Sequence, residues 1–259
     1  VCKNAAKVIG ETIKSFSGLT DDILVYDNGS TDNTKNIVKQ SNAKLVEGSW
    51  EGFGKTKNNA NALAKYDWIL SLDADEAIDE ELKQNLLQQD LAHEKNVFEF
   101  KFKNFLGDKW LRFGEWGDDK HIRLFNRKKI KWNDADVHES LLLPKDVKVI
   151  SIPGFVLHKT AGNIEEYKNK VNSYAVLNAE KYFKQNKRSG SLKMFFSAVF
   201  SFIKNYFFKL GFLDGATGYH CARINARYTF LKYKKLNELN QQSAPDSYRD
   251  SSVQSGKTS

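Results

Sequence analysis

The sequence contains few residues of three types whose abundance marks particular classes of protein. Two Cys among 259 residues exclude a disulfide scaffold and a cysteine-based zinc site, and they favour a reducing compartment. Three Pro and 16 Gly exclude collagen-like and proline-rich linker sequences. The longest apolar run, 194–203, is shorter than the roughly 18 residues of a transmembrane helix. No signal peptide is recognisable, so we expect a cytoplasmic protein without a transmembrane span.

The composition is that of a folded protein with an excess of basic residues. Hydrophobic residues make up 41%, aromatic residues 13% and charged residues 28%, which suits a domain with a sizeable core. The 40 Lys and Arg exceed the 32 Asp and Glu and give a net charge of +8. This excess favours an anionic partner, which can be nucleic acid, a phosphorylated substrate or an anionic membrane surface.

Strand and helix signals alternate over the first third of the chain. Short apolar runs predict strands at 23–26, 44–46 and 68–72, and periodic segments predict helices at 32–41, 55–65 and 79–89. This alternation is typical of βαβ units and a parallel sheet. Ligands of such sheets bind beyond the carboxyl ends of the strands, which is where Asp27, Asp73 and Asp75 are expected.

The pattern then changes to strands that alternate with period two. Segments 97–102 and 121–125 predict antiparallel strands, and Pro153-Gly154 separates further predicted strands at 147–152 and 155–157. These strands make the predicted central sheet a mixed one.

The predicted chain therefore has three parts. An α/β domain with a mixed central sheet is expected over 1–162. Apolar residues at helical spacing predict a helical C-terminal extension over 163–240. Residues 241–259 have no periodic apolar face and are predicted to form a disordered tail.

Two groups of polar residues follow predicted strands. Asp73-Ala74-Asp75 places two carboxylates where both can bind one Mg²⁺ or Mn²⁺ ion, although such triplets are also common in surface loops. Asp27-Asn28-Gly29-Ser30-Thr31 predicts a turn with Gly29 at positive φ and with Ser30 or Thr31 as the N-cap of the next helix. In a functional interpretation, Asp27 also accepts a hydrogen bond from a nucleotide base or a ribose.

Three motifs together resemble the family 2 glycosyltransferases, which have the GT-A fold. They are Val25-Tyr26-Asp27-Asn28-Gly29-Ser30-Thr31-Asp32-Asn33-Thr34, Gly54-Lys55-Thr56-Lys57-Asn58-Asn59-Ala60 and Trp68-Ile69-Leu70-Ser71-Leu72-Asp73-Ala74-Asp75-Glu76. The start, Val1-Cys2-Lys3-Asn4, is similar to the end of that family's first strand, with Ala5 in place of the usual Glu. Later motifs resemble the branch that includes lipopolysaccharide-core glucosyltransferases; they are Trp116, 121–127, Trp132, Val137-His138-Glu139 and 206–215 with Gly218.

The resemblance implies a GT-A-like α/β fold and an inverting glycosyltransferase. The expected donor is a nucleotide diphosphate sugar, with UDP as nucleotide and a hexose as sugar, and the expected acceptor is a glycan or glycolipid such as lipopolysaccharide core. By analogy Asp27 binds the uracil or ribose, Asp73 contacts the ribose or the metal, and Asp75 binds the metal that bridges the diphosphate. The implied cofactor is Mg²⁺ or Mn²⁺.

Inverting transfer also requires a carboxylate that deprotonates the acceptor hydroxyl. The branch motif implies that Glu139 is this base. Asp136, Asp118 and Asp119 are alternatives, and Glu139 can instead pair with a nearby Arg.

Five further residues have both a functional and a structural interpretation. Arg123 and Arg127 are predicted to share a strand face, where they can bind phosphate or remain solvated. His158 follows a predicted strand and is a candidate third metal ligand or diphosphate contact, although a lone His there is more often structural. Lys57 and Asn58 either cover the donor or lie on an exposed helix face.

The helical extension is rich in aromatic and basic residues. Phe195, Phe196 and Phe200 either pack against the sheet domain or form an amphipathic surface that faces anionic lipid together with Lys193 and Lys204. The second interpretation is favoured, and it predicts peripheral association with the inner face of the membrane. No RNP, KH or zinc motif supports a nucleic-acid partner.

Two other functions compete with glycosyl transfer. A haloacid-dehalogenase-like phosphatase also places Asp-x-Asp after a strand, but it needs Thr or Val where this chain has Ala77. A non-catalytic membrane adaptor with a degenerate sugar-nucleotide fold is the other alternative, and retention of both Asp73 and Asp75 argues against it.

Overall fold

A computed structural model of the chain describes residues 1–134 and 139–243. The chain divides into two compact units, the first covering 1–163 and the second beginning at Ile164. The alternative base Asp136, the motif residues Val137 and His138, and all but the first three residues of the tail predicted to be disordered lie outside the described residues.

The first unit alternates short helices and strands and then continues in strands. Its helices are α1 (Ile9–Ser15), α2 (Thr34–Lys39), α3 (Phe53–Ala62) and α4 (Glu80–Leu87). Its strands are β1 (Leu24–Asp27), β2 (Lys44–Glu47), β3 (Trp68–Leu70), β4 (Glu76–Ile78), β5 (Asn96–Leu106), β6 (Lys109–Leu111), β7 (Lys120–Asn126), β8 (Lys131–Trp132), β9 (Leu141–Leu142) and β10 (Lys148–Ala161). The helix–strand alternation predicted for the first third is therefore present, and β4 is a strand that the sequence did not indicate.

The strands form one mixed sheet and two small sheets. The mixed sheet has the order β3-β7-β5-β10-β4, with β6 paired to β5, and within it β5 and β10 are parallel. The antiparallel strands predicted at 97–102 and 121–125 are confirmed, because they lie in β5 and β7, and these two strands pair antiparallel with Val97 opposite Phe125. Burial largely alternates along β5, because successive side chains of a strand point to opposite faces of the sheet.

The expectation of a single parallel sheet over the first three strands is wrong. Strands β1 and β2 are parallel, but β3 pairs antiparallel with β7, so that Ile69 lies opposite Phe125. The short apolar run of β3 thus lies beside β7, and Ile69 and Phe125 belong to the same buried cluster. A cavity of about 670 Å³ separates β1 from β3 and is lined by Leu24 and Trp68 among others.

The N-terminal residues extend the small parallel sheet. The Cys2 amide donates to the Tyr26 carbonyl at 2.8 Å, and the Asn28 amide donates to the Cys2 carbonyl at 2.9 Å. Cys2 therefore makes a parallel bridge beside β1, opposite Asp27. This arrangement places the start of the chain directly against the turn that follows β1.

The core of the mixed sheet is aromatic and lies against α4. Phe98, Phe100 and Phe102 point to the same side of β5, because successive side chains of a strand alternate. They pack with Leu82 of α4 and Val156 of β10. This core fixes the strands whose ends carry the polar residues of the candidate site.

The interruption predicted at Pro153-Gly154 is also wrong. Strand β10 continues from Lys148 to Ala161, and its register with β5 shifts between Ser151 and Phe155. A β-bulge accommodates the two residues, since Gly154 has a φ of 104°. A Cβ atom at Gly154 would lie 2.3 Å from the Leu82 amide nitrogen, so only glycine allows α4 to pack this closely.

Over residues 164–243 the second unit contains three α-helices. They are α5 (Ile164–Lys184), α6 (Ser191–Ile203) and α7 (Gly215–Gln242), with a π-helical turn at Lys204–Phe208. Helices α5 and α6 both pack on α7, and Ala179 and Leu236 are fully buried. Although the sequence predicts disorder from residue 241, α7 extends to Gln242.

The aromatic residues of α6 do not form a core. Phe195, Phe196 and Phe200 are about 60% exposed and take no part in the core of the second unit. Among the described residues, no helix is long and apolar enough to cross a membrane.

Candidate active site

The turn after β1 is closed around the carboxylate of Asp27. This carboxylate is fully buried and accepts hydrogen bonds from the amides of Gly29 and Ser30 at 3.0 and 2.8 Å, and from the Ser30 hydroxyl. The predicted positive φ of Gly29 is confirmed at 84°. Burial raises the pKa of Asp27, but the Ser30 and Gly29 hydrogen bonds outweigh it and hold the pKa below its usual value.

The predicted N-cap of α2 is wrong. Neither Ser30 nor Thr31 caps this helix; the residue in the cap position is Asn33, whose side chain makes no capping bond. Ser30 is instead engaged by Asp27, and Asp32 accepts from the Thr34 amide at 3.0 Å. Ser30 therefore stabilises the turn, whereas Asp32 satisfies the first amide of the helix.

A cluster of charged side chains forms at the end of β3. Lys57 of α3 is buried, and its ammonium lies 3.0 Å from a carboxylate oxygen of Asp73 and 2.8 Å from one of Glu139. The guanidinium of Arg123, on β7, lies 3.8 Å from the other oxygen of Asp73. The structure thus brings together Lys57, Asp73, Arg123 and Glu139, four of the residues singled out from the sequence.

The surroundings of Asp73 and Lys57 favour the charged form of each side chain. Burial raises the pKa of Asp73, but Lys57 and Arg123 outweigh it and hold the pKa well below its usual range. Burial lowers the pKa of Lys57, but Asp73 and Glu139 outweigh it and raise the pKa above its ordinary value. Asp73 and Lys57 therefore form an ion pair at neutral pH.

Glu76 is the residue of this cluster that the sequence did not reveal. It is buried, accepts from the Arg123 guanidinium at 2.5 Å and accepts from the Asp73 amide at 3.1 Å. Burial raises the pKa of Glu76 above its usual value even though Arg123 opposes the effect. A Glu that directly follows Asp73-Ala74-Asp75 and precedes the apolar pair Ala77-Ile78 was the available signal.

Arg123 and Arg127 do not act together. Arg123 is buried in β7, so the interpretation as a solvated strand face is wrong for it. Arg127 follows β7. Its guanidinium donates to the carbonyls of Asn61 and Ala64 at 2.6 and 2.9 Å, at the C-terminal end of α3. The Nε–H of Arg123 is buried and has no hydrogen-bond partner among the described residues, which leaves one donor for a ligand.

Asn58 connects α3 with β8 and does not face the charged cluster. Its side-chain amide donates to the Trp132 carbonyl at 2.9 Å and accepts from the Trp132 amide at 3.0 Å. The indole ring of Trp132 lies 4.7 Å from the Lys57 ammonium, within the range of a cation–π interaction. Asn58 therefore fixes Trp132, and Trp132 covers Lys57.

A second cluster surrounds Asp75 and His158. Strand β4 pairs antiparallel with β10 so that Glu76 lies opposite His158. This register brings the carboxylate of Asp75 to 3.5 Å from His158 Nε2, and the Lys159 amide donates to the Asp75 carbonyl at 2.9 Å. Two of the three residues predicted to bind a metal are thus adjacent.

The tautomer of His158 follows from its neighbours. The Asn104 amide nitrogen lies 2.9 Å from a carboxylate oxygen of Asp119, which can only accept. The Asn104 oxygen must then face His158 Nδ1, 2.7 Å away, and Nδ1 must carry the hydrogen. The unprotonated lone pair of neutral His158 is therefore on Nε2, the atom that faces Asp75.

The Asp75–His158 pair fits the ligand preferences of a divalent cation. A carboxylate oxygen and an imidazole nitrogen are both ligands of Mn²⁺, and two lone pairs 3.5 Å apart repel unless a cation or a proton lies between them. Over 1–134 and 139–243, no group of three or more His, Cys, Asp or Glu is arranged to hold a metal. Any bound cation would need donor phosphates or water as additional ligands.

The other two candidate bases that the structure describes, Asp118 and Asp119, pair with other residues. Asp119 accepts from Asn104 and lies 2.8 Å from His121 Nε2, and these hydrogen bonds outweigh its burial and lower its pKa. Asp118 is exposed and pairs with Lys120 at 3.3 Å. Glu139 is the only one of the three described candidates that contacts the cluster at β3.

Comparison with known proteins assigns the family. A family model described as glycosyl transferase family 2 matches residues 1–150, more than half of the chain. The chain belongs to glycosyl transferase family 2, and its curled mixed sheet with a helical C-terminal part is the GT-A-like α/β fold. It is accordingly a glycosyltransferase, and this assignment gives no support to the phosphatase alternative.

Similar proteins occur in several bacteria. The chain is 30% identical to "Uncharacterized glycosyltransferase RT0209" of Rickettsia typhi, over 96% of this chain and 90% of that protein. It is 25% identical to "Lipopolysaccharide core biosynthesis glycosyltransferase LpsC" of Rhizobium meliloti, over 91% of this chain and 89% of that protein. Among solved structures, S. aureus TarS 1–349 in complex with UDP is 17% identical with a TM-score of 0.44, over 93% and 90% of the two chains.

Proposed function

We propose that this glycosyltransferase inverts the anomeric centre as it transfers a hexose from a UDP-sugar to a glycan or glycolipid hydroxyl. Lipopolysaccharide core is the proposed acceptor class, and the similarity to the lipopolysaccharide core biosynthesis glycosyltransferase LpsC supports it. The observation that carries the proposal is the contact between Lys57 and both Asp73 and Glu139. It joins the proposed donor-binding end of β3 to the proposed base.

The proposed roles follow from charge and position. Arg123 and Lys57 stabilise the charge that develops on the leaving diphosphate, and Asp73 holds both cations towards it. Asp27, whose oxygens already accept from its own turn, contributes mainly by fixing the loop beside the nucleotide. Asn58 contributes by fixing Trp132 over Lys57.

Glu139 is the proposed general base. It accepts the proton of the acceptor hydroxyl as that oxygen forms a bond to the anomeric carbon and the bond to the diphosphate oxygen breaks. The attack comes from the face opposite the leaving group, which inverts the configuration. The side chain of Glu139 is 16% exposed, so water competes little with an acceptor hydroxyl for this carboxylate.

Asp75 and His158 are the proposed ligands of Mg²⁺ or Mn²⁺. The cation would neutralise charge on the leaving diphosphate, the usual contribution of a metal in phosphate chemistry. His158 presents the Nε2 lone pair and Asp75 its carboxylate, and donor oxygens would complete the coordination. Peripheral association with a membrane would bring the enzyme close to a lipid-linked acceptor.

Substitution of Asp75 tests the donor and metal proposals together. Titration calorimetry of UDP with and without Mn²⁺ should show that Asp75→Asn abolishes the Mn²⁺-dependent gain in affinity while the fold remains intact. Asp67→Asn, which removes a partly exposed partner of Lys128 and Arg127, is the matched control and should bind as the wild type does. Equal Mn²⁺ dependence in Asp75→Asn would refute the metal role, and absence of any UDP binding or turnover in the wild type would favour the adaptor.

A further inference from the structure

Helix α6 turns its more apolar side towards solvent. None of its 13 residues is buried. Large apolar side chains recur along it at helical spacing, and we call this set the apolar stripe: Leu192, Phe195, Phe196, Val199, Phe200, Ile203 and, in the following π-helical turn, Phe207. The spacing of three and four residues places these side chains along one face of the helix.

The apolar surface continues beyond α6. Four large apolar residues in the connection to α7 are also exposed: Phe208, Leu210, Phe212 and Leu213. The opposite face of α6 is the one that packs within the unit, where the ring of Phe202 lies 6.0 Å from that of Tyr219 on α7. The apolar stripe is therefore not left over from the packing of the helices, and contiguous exposed apolar surface of this kind marks an interaction site.

The charged residues around the apolar stripe are mostly basic. Segment 181–213 contains no Asp or Glu and seven Lys or Arg. Helix α7 adds five basic residues against the single acid Glu238. Two of the five, Arg223 and Arg227, lie one turn apart and line a groove of about 460 Å³ between α6 and α7, together with Val199.

We propose that the apolar stripe and the basic residues around it dock the chain onto an anionic lipid bilayer. Helix α6 would lie in the plane of the interface, with Phe and Leu side chains among the acyl chains and with Lys and Arg at the headgroup phosphates. At 13 residues α6 is about 20 Å long, which suits an in-plane position. The observations that support docking are independent of the proposed function. Only the benefit of docking, which is access to a lipid-linked acceptor, rests on that function.

A second copy of the chain fits this surface less well. A two-fold dimer would bring the same patch of both subunits together. The basic residues around one stripe would then face those of the other, and segment 181–213 supplies no acidic partner. An anionic bilayer instead provides both an apolar interior and a negative surface.

Sedimentation with vesicles tests the proposal. The wild type should bind vesicles of phosphatidylcholine and phosphatidylglycerol, bind less at high salt, and bind weakly to phosphatidylcholine alone. Replacing Phe196 and Phe200 by Ser should lower binding to the anionic vesicles at least about tenfold. Val149→Ser removes a similarly exposed apolar side chain from β10 and is the matched control, with binding unchanged.

A spectroscopic readout reports insertion directly. All five Trp lie between residues 50 and 132, so Phe200→Trp adds the one indole of the second unit. Its fluorescence, obtained by subtraction of the wild-type spectrum, should shift to the blue on anionic vesicles and be quenched by brominated lipid. UDP binding should be the same in all of these variants, so loss of docking and loss of donor binding are distinguishable.

Three results would overturn the proposal. The first is wild-type binding that is equal for neutral and anionic vesicles, and the second is binding that the Phe196 and Phe200 substitutions leave unchanged. The third is a dimer in sedimentation equilibrium that the same substitutions dissociate, since that result would assign the apolar stripe to a second copy of the chain.

Discussion

The first unit buries charged side chains, whereas the second exposes apolar ones. Glu76, Arg123 and Lys57 are each less than 10% exposed, although burial of an ion is costly unless it is paired. On α6, by contrast, Phe196 and Phe200 remain in water. Buried charges and exposed apolar side chains both contribute little to the stability of a fold. In both units these side chains are therefore the candidates for a functional role.

The largest expected effect is on kcat, through the proposed base Glu139 beside the buried Lys57. Glu139→Gln should lower kcat by roughly 10²–10⁴-fold, because an amide cannot accept the acceptor proton. UDP affinity should change little, since Glu139 is proposed to act on the acceptor side. Steady-state kinetics and calorimetry measure the two effects, and a wild-type kcat would transfer the role to Asp118, Asp119 or Asp136.

The next effect measures the cost of a buried charge without its partner. Glu76→Gln should lower the free energy of unfolding by about 3–5 kcal/mol, because the guanidinium of Arg123 loses the carboxylate 2.5 Å away. Urea unfolding measures this difference. Glu80→Gln removes an exposed pair with Lys83 and should change the same quantity by less than about 1 kcal/mol. Similar losses in the two variants would contradict the distinction between buried and exposed pairs.

In the second unit the comparison is between a buried and an exposed apolar residue. Leu236→Ala should cost about 2–5 kcal/mol, because Leu236 is fully buried in α7. Phe196→Ala removes a larger side chain and should change the free energy of unfolding by only about 0.5 kcal/mol. Thermal or urea unfolding checks both values, and a large loss in Phe196→Ala would mean that the apolar stripe is structural.

The smallest expected effect concerns the hydrogen bond that orients His158. Asn104→Ala should lower Mn²⁺ affinity about 10–100-fold, because the imidazole loses the acceptor that holds the hydrogen on Nδ1. Electron paramagnetic resonance of free Mn²⁺ measures the affinity. Asn126→Ala replaces another buried Asn, one that accepts from the Lys128 amide, and should bind Mn²⁺ as the wild type does.

The tautomer itself can be observed without metal. Nitrogen-15 shifts of the imidazole should show the hydrogen on Nδ1 of His158 in the wild type and a mixture in Asn104→Ala, with the signal assigned by its loss in His158→Gln. A hydrogen on Nε2 in the wild type would contradict the assigned hydrogen-bond network.

Local pattern was sufficient to predict several strands and the residues at their ends. The strand before Asp73 and the strands that became β5 and β7 follow from apolar runs and alternation. Pairing partners were not predictable in the same way. The join of β3 to β7, and the passage of β10 through Pro153-Gly154, depend on packing between segments far apart in the chain.

Two residues of the site were missed, and the sequence signal was stronger for Asn104 than for Glu76. Asn104 occupies the buried register of β5, after Phe98, Phe100 and Phe102, so a polar residue interrupts an apolar row. Such an interruption implies a buried hydrogen-bonding role. Glu76 looked like part of an acidic turn, because its partner Arg123 is distant in sequence and nothing local connects the two.

The two hydrogen bonds of Asn58 have a mechanical consequence. They tie α3, which carries Lys57, to β8, which pairs with β9, the strand that follows Glu139. A movement of β8 and β9 that admits an acceptor must either carry Lys57 along or break both bonds to Trp132. With the proposed roles of Lys57 and Glu139, entry of the acceptor would be coupled through the Asn58 amide to the cation beside the donor.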